Sequence, residues 1–144
     1  MQQQFNAVVH AFCRAEKFNA PERLIEGESV ELHGVEFSFV YDEEICADAM
    51  HLRVVFGNAP LKDETAIFRA LLNENHLGYT GKGPGFCVSP ASGLVLYMLQ
   101  LRLCDATPAQ LAGTMLYFTG KVKEWRSTYF LKSAVRRERR LQMT

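Results

Sequence analysis

Phe5, Val8, Val9, Phe12 and Cys13 recur at steps of three and four residues. That spacing predicts an amphipathic helix from roughly Gln3 to Lys17. Phe18-Asn-Ala-Pro follows as its stop, because Pro21 disfavours helix at the residue before it. The period then changes to two. Val30 and Leu32 share a face, as do Val35, Phe37, Phe39 and Tyr41, and then Met50, Leu52, Val54 and Phe56. Three strands with one face in a core are predicted, the first two joined by a tight turn at His33-Gly34. A helical period returns with Leu61, Ile67, Phe68, Leu71 and Leu72 and stops over Asn75 to Gly78, where glycine can take the left-handed conformation. GFCVSP and GLVLYMLQL read as a hairpin through Pro90–Gly93. Thr107-Pro-Ala-Gln110 is a capping box. It opens a last helix striped by Leu111, Met115, Phe118, Val122, Trp125 and Tyr129.

The predicted order is α-β-β-β-α-β-β-α, an α+β domain with a twisted antiparallel sheet and helices packed on it. One strand breaks the rule. Leu94, Leu96 and Met98 lie on one side and Val95, Tyr97, Leu99 and Leu101 on the other. An antiparallel strand with one wet face alternates with polar residues. This one needs cover on both sides, which predicts a second subunit.

At 144 residues and 48% hydrophobic, the chain suits one domain, expected over residues 1–135 with a basic extension at 136–144. No apolar run is long enough to cross a bilayer. The opening segment reads as a helix rather than a signal peptide, so a cytoplasmic protein is expected. Residues 1–120 carry eight Lys and Arg against fourteen Asp and Glu, and residues 121–144 carry eight against two. An acidic body with a basic tail disfavours nucleic acid as the main partner. Cys13, Cys46, Cys87 and Cys104 are scattered without metal spacing and read as small hydrophobes.

The nine residues GYTGKGPGF, 78–86, are the best local candidate for chemistry. A phosphate-binding P-loop needs GxxxxGK followed by Ser or Thr, then a helix. Here Gly83 follows Lys82, and the loop leaves a helix and enters a strand. The segment reads as a connector in which glycine permits unusual backbone angles. Lys82 is left without a task. His10, His33, His51 and His76 fall on separate elements, and Asp42, Glu43 and Glu44 share a solvated loop. No catalytic, cofactor or metal residue is expected.

Across nearly its whole length the chain resembles the Tir-chaperone (CesT-like) family, the class I chaperones of bacterial type III secretion. The resemblance is carried by FNAVVHAF, by LKDETAIFRALLNENHLGYTGKGPGFCVSP, by GLVLYMLQL and by the final helix with Trp125. RRERR and the zero net charge depart from the acidic profile of that family. The resemblance implies a non-enzymatic, cofactor-free homodimer that holds the extended N-terminal segment of a secreted effector. Large apolar grooves and open sheet edges suit such a partner. The residues expected to line the groove are Phe5, Val9, Val30, Leu32, Val40 and Val55. Those expected at the dimer contact are Val95, Tyr97, Leu99, Leu101 and Trp125. Two rival readings stand beside this one. In the first, a chaperone-like regulator binds nucleic acid or protein through Arg136–Arg140. In the second, a small enzyme uses the glycine loop.

Overall fold

The computed structural model describes residues 1–78 and 84–131. Lys82 and the Arg136–Arg140 tail lie outside the described residues. Helix α1 spans Gln2–Glu16 and buries Phe5, Val9, Phe12 and Cys13. It ends on Lys17 in the left-handed conformation, four residues ahead of Pro21. Pro21 is a start as well as a stop. It occupies the first position of a short helix, α2, over Pro21–Ile25, where its fixed φ suits a helix and its missing N–H costs nothing.

Strands β1 (Val30–Leu32), β2 (Val35–Val40), β3 (Ala49–Gly57), β4 (Gly85–Val88) and β5 (Val95–Arg102) form one sheet in the order β1-β2-β3-β5-β4. All four pairings are antiparallel. His33 and Gly34 both have positive φ, 53° and 81°, the signature of the turn whose twist matches a hairpin. A register shift between Val55 and Gly57 marks a bulge, with Gly57 at φ 130°.

Helix α3 (Glu64–Leu77) follows a single 3-10 turn at Leu61–Asp63. It buries Ile67, Ala70 and Leu71. Leu61 and Leu72, both expected on its core stripe, are 88% and 66% exposed. Leu61 falls in the 3-10 turn ahead of the helix, and Leu72 points off the stripe. Gly78 closes the helix at φ −93°, outside the left-handed region expected for it. Helix α4 (Pro108–Thr128) begins with Thr107 Oγ1 accepting from the Gln110 N–H at 3.2 Å. Its predicted stripe is buried from Leu111 to Trp125.

Every buried apolar residue of α1, α3 and α4 joins one cluster with Phe37, Phe39, Leu52, Val54, Phe56 and Val95 of the sheet. The helices thus share one sheet face. Cross-strand register places Phe37, Val54, Tyr97 and Phe86 side by side on that inner face. It places Ser38, Arg53 and Met98 on the outer one.

Candidate functional site

The two edges of the sheet differ. On the β4 edge, Asn75 of α3 acts as a short piece of strand. Its Nδ2 donates to the Phe86 carbonyl at 3.0 Å, and its Oδ1 accepts from the Phe86 N–H at 2.7 Å. Among the described residues β1 is the opposite edge strand, paired only with β2. Val30 and Leu32 sit on it, half-buried against the core. Backbone groups on such an edge can take a further strand.

The outer sheet face is the second feature. Leu96 is only 5% exposed yet lies outside the core cluster, on a face that no buried helix residue joins among the described residues. Val55 is its partner on β3 and Cys87 its partner on β4. Met98 is half-buried beside it, and Val40 on β2 is exposed. The two-sided apolar strand thus has its inner side filled by its own helices, while on its outer side Leu96 is covered and Met98 is half-buried.

The third feature is a cleft of ≈ 500 Å³ between the end of α3, β4 and α4. Phe56, Phe86, Tyr97 and Phe118 form its aromatic lining. Phe56 meets Phe86 edge-on at 4.9 Å, Phe86 meets Tyr97 at 4.8 Å, and Tyr97 meets Phe118 at 4.8 Å. Leu77 and Tyr117 form an exposed rim. Glu74 and Lys121 add one charge of each sign. Lys121 stands 5.9 Å over the Tyr117 ring and 3.6 Å from Glu124. Burial, with a smaller push from Tyr117, raises the Tyr97 phenol above its ordinary pKa of 10.0.

The residues expected to form a groove do not meet on one surface. Phe5 and Val9 are 1% and 0% exposed, inside the core beneath α1. Val30 and Leu32 lie on the inner side of β1, and Val40 and Val55 on the outer side of the sheet. Val95 and Trp125, expected at a dimer contact, are core residues at 0% and 1% exposure. Tyr97, Leu99 and Leu101 pack against the same core. The physical reason is parity. Odd-numbered positions of β5 face the helices, which leaves Leu96 and Met98 outward.

The cleft and the Asn75 clamp escape a reading by period, because both depend on elements far apart in sequence. The density of Phe and Tyr between Phe86 and Phe130 was the available signal. Among the described residues no group of three His, Cys, Asp or Glu side chains could hold a metal ion. No helix among them is long and apolar enough to cross a membrane.

Comparison with known proteins decides the family. The family model "Tir chaperone protein (CesT) family" matches residues 43–126, more than half of the chain. The chain belongs to the Tir chaperone protein (CesT) family. The match runs from the β2–β3 loop to α4, so it includes β3, α3, the β4–β5 hairpin and the cleft lining apart from Phe130. The CesT family is one of chaperones, not of enzymes. No curated protein matches the chain. The fold is also that of a chain in a solved structure, "Structure of the HopA1-SchA Chaperone-Effector Complex". The TM-score is 0.65 at 13% identity, covering 88% of this chain and 96% of that one. The CesT resemblance and the α+β secretion-chaperone fold read from the sequence therefore hold.

Proposed function

We propose that the protein is a cytoplasmic type III secretion chaperone of a bacterium. It binds the extended N-terminal segment of a secreted effector as a homodimer and keeps that segment competent for export. The observation that carries this reading is CesT membership over residues 43–126, which include β3, β4 and β5 of the sheet. The surfaces support it. The open β1 edge offers backbone groups to a client strand, with Val30 and Leu32 beneath it. The outer face, where Met98 and Val55 are half-buried, offers apolar surface to a second copy. An extended client gives up chain entropy on binding, so backbone pairing together with apolar burial is needed to hold it.

The test is co-expression with each secreted protein encoded beside this chain, followed by purification and light scattering. The expected product is a complex of two copies with one client. A monomer that retains no client in any pairing refutes the reading.

A further inference from the structure

We propose that the solvent side of α4 is a second self-association surface, on which α4 of another copy packs antiparallel about a two-fold axis between Leu116 and Tyr117. The contact goes beyond the chaperone reading and asks nothing of a client.

α4 has two faces of opposite kind. Leu111, Met115, Phe118, Val122 and Trp125 are buried in the core. Ala109, Gly113, Leu116 and Gly120 recur at steps of four, three and four on the other side, and all are exposed. The solvent face of a helix is ordinarily charged or polar. This one carries no charge from Ala106 to Gly120. Instead Leu116 and Tyr117 stand 64% and 60% exposed at its centre.

The two glycines serve nothing inside the chain. A Cβ on Gly113 or Gly120 would meet nothing within 4 Å among the described residues. Glycine inside a helix costs stability relative to alanine, so neither the helix nor the core asks for it here. What the pair offers is close approach of another backbone, at the short end of helix–helix spacings.

Symmetry identifies the visitor as a second copy. Residues 113–120 read Gly-Thr-Met-Leu-Tyr-Phe-Thr-Gly. Laid against its own reverse, this run sets glycine on glycine, threonine on threonine and apolar on apolar. A two-fold contact needs such self-complementarity, because residue i faces j of the other copy and j faces i. With the axis between Leu116 and Tyr117, Gly113 faces the partner's Gly120 and Leu116 packs on the partner's Tyr117.

Charge sets the direction. Lys121, Lys123, Glu124 and Arg126 all lie in the second half of α4. An antiparallel copy lays that half against Pro108–Ala112, which is uncharged, whereas a parallel copy stacks like charges. One helix face is smaller than the standard interface of about 1,600 Å², so the contact is weak and reversible. α4 packs on the inner side of the sheet, opposite the Met98 face. The two surfaces do not compete, and together they join dimers into tetramers.

The full chain carrying Met98→Arg, which removes the outer-face contact, is followed by sedimentation equilibrium from micromolar to millimolar concentration. A reversible monomer–dimer equilibrium is expected. Gly113→Ala with Gly120→Ala should weaken it at least tenfold yet raise the thermal midpoint of the monomer. A merely structural role does not give those opposite effects. For the geometry, Gly113→Cys and Gly120→Cys are made separately in a background of Cys46→Ser, Cys87→Ser and Cys104→Ser. Mixed under oxidised glutathione, they should form the 113–120 disulfide in several-fold excess over either symmetric one. A monomer at every concentration, or a glycine-to-alanine double variant that associates as well as its parent, overturns the proposal. So does an excess of the symmetric disulfides, which would describe a parallel contact. None of these results depends on capture of a client, so this proposal and the chaperone reading fail separately.

Discussion

Asn75 and Phe86, eleven residues apart, are joined by two hydrogen bonds between one side chain and one peptide unit. The amide copies what a neighbouring strand would offer, so α3 is tied to the β4 edge as if it were part of the sheet. Gly85 must be small here, since a Cβ at that position would lie 3.3 Å from Asn75 Oδ1. Asn75→Ala leaves a half-buried N–H and C=O without partners and should cost about 1–3 kcal/mol. Asn75→Asp keeps the acceptor and loses the donor, so it should fall between. Urea unfolding of the three proteins checks the order. Equal midpoints would show that the clamp is not a stability element.

The two sides of β5 predict opposite outcomes. Met98→Arg places a charge on the outer face, where no helix packs among the described residues. It should convert a dimer to monomer in sedimentation and lower the thermal midpoint only by the stabilisation that association supplied. Trp125→Ala empties a core site between Phe56 and Tyr129 and should cost about 3–5 kcal/mol. Trp125→Phe should be much milder. The indole Nε1 is buried without a hydrogen-bond partner among the described residues, and phenylalanine removes that donor. A stable Met98→Arg dimer would move the subunit contact to another surface.

The elements were legible because their periods are clean. The alternation from Val35 to Tyr41 and from Met50 to Phe56 gave β2 and β3, and the four-three spacing from Leu111 gave α4. Period also says that two faces of β5 are apolar. It does not say which of them a chain covers with its own helices, because that depends on the sheet order β1-β2-β3-β5-β4. Val95 and Trp125 are buried in the chain's own core for this reason. The residues expected in a groove are spread over separate surfaces for a related reason. Phe5, Val30 and Val40 are all surplus apolar positions in sequence, but they stand in a core, on an edge and on an outer face. Leu61, in the 3-10 turn ahead of α3, and Leu72, on α3 itself, show the same limit.

Arg126 fastens α4 to the sheet through backbone alone. Its Nε donates to the Phe56 carbonyl at 3.0 Å and its Nη1 to the Gly34 carbonyl at 3.1 Å, bridging β3 and the β1–β2 turn. The guanidinium fork serves two acceptors that an ammonium cannot reach together. Arg126→Lys should therefore lose most of what Arg126→Ala loses, about 1–3 kcal/mol. Faster amide exchange at the His33–Gly34 turn in both variants would confirm the link. Recovery of full stability by lysine would refute it.

Cys13 predicts the alkaline limit of the fold. Burial, and then the Glu22 carboxylate, raise its thiol above the ordinary value of 9.0. The unfolded chain ionises this thiol first. Below that ordinary value both states hold the proton and nothing is lost. Above it the unfolded state gains from releasing the proton while the folded state does not, so stability falls as pH rises toward the folded value. The urea midpoint should hold from pH 7 to about 8.5 and then decline, because ordinary cysteine titrates near there. Cys13→Ala should start from a lower midpoint, since a buried group is trimmed, but decline less steeply above pH 9. Tyr97, raised in the same sense from 10.0, should maintain a residual slope in the variant. Parallel profiles for the two proteins would place the alkaline loss elsewhere.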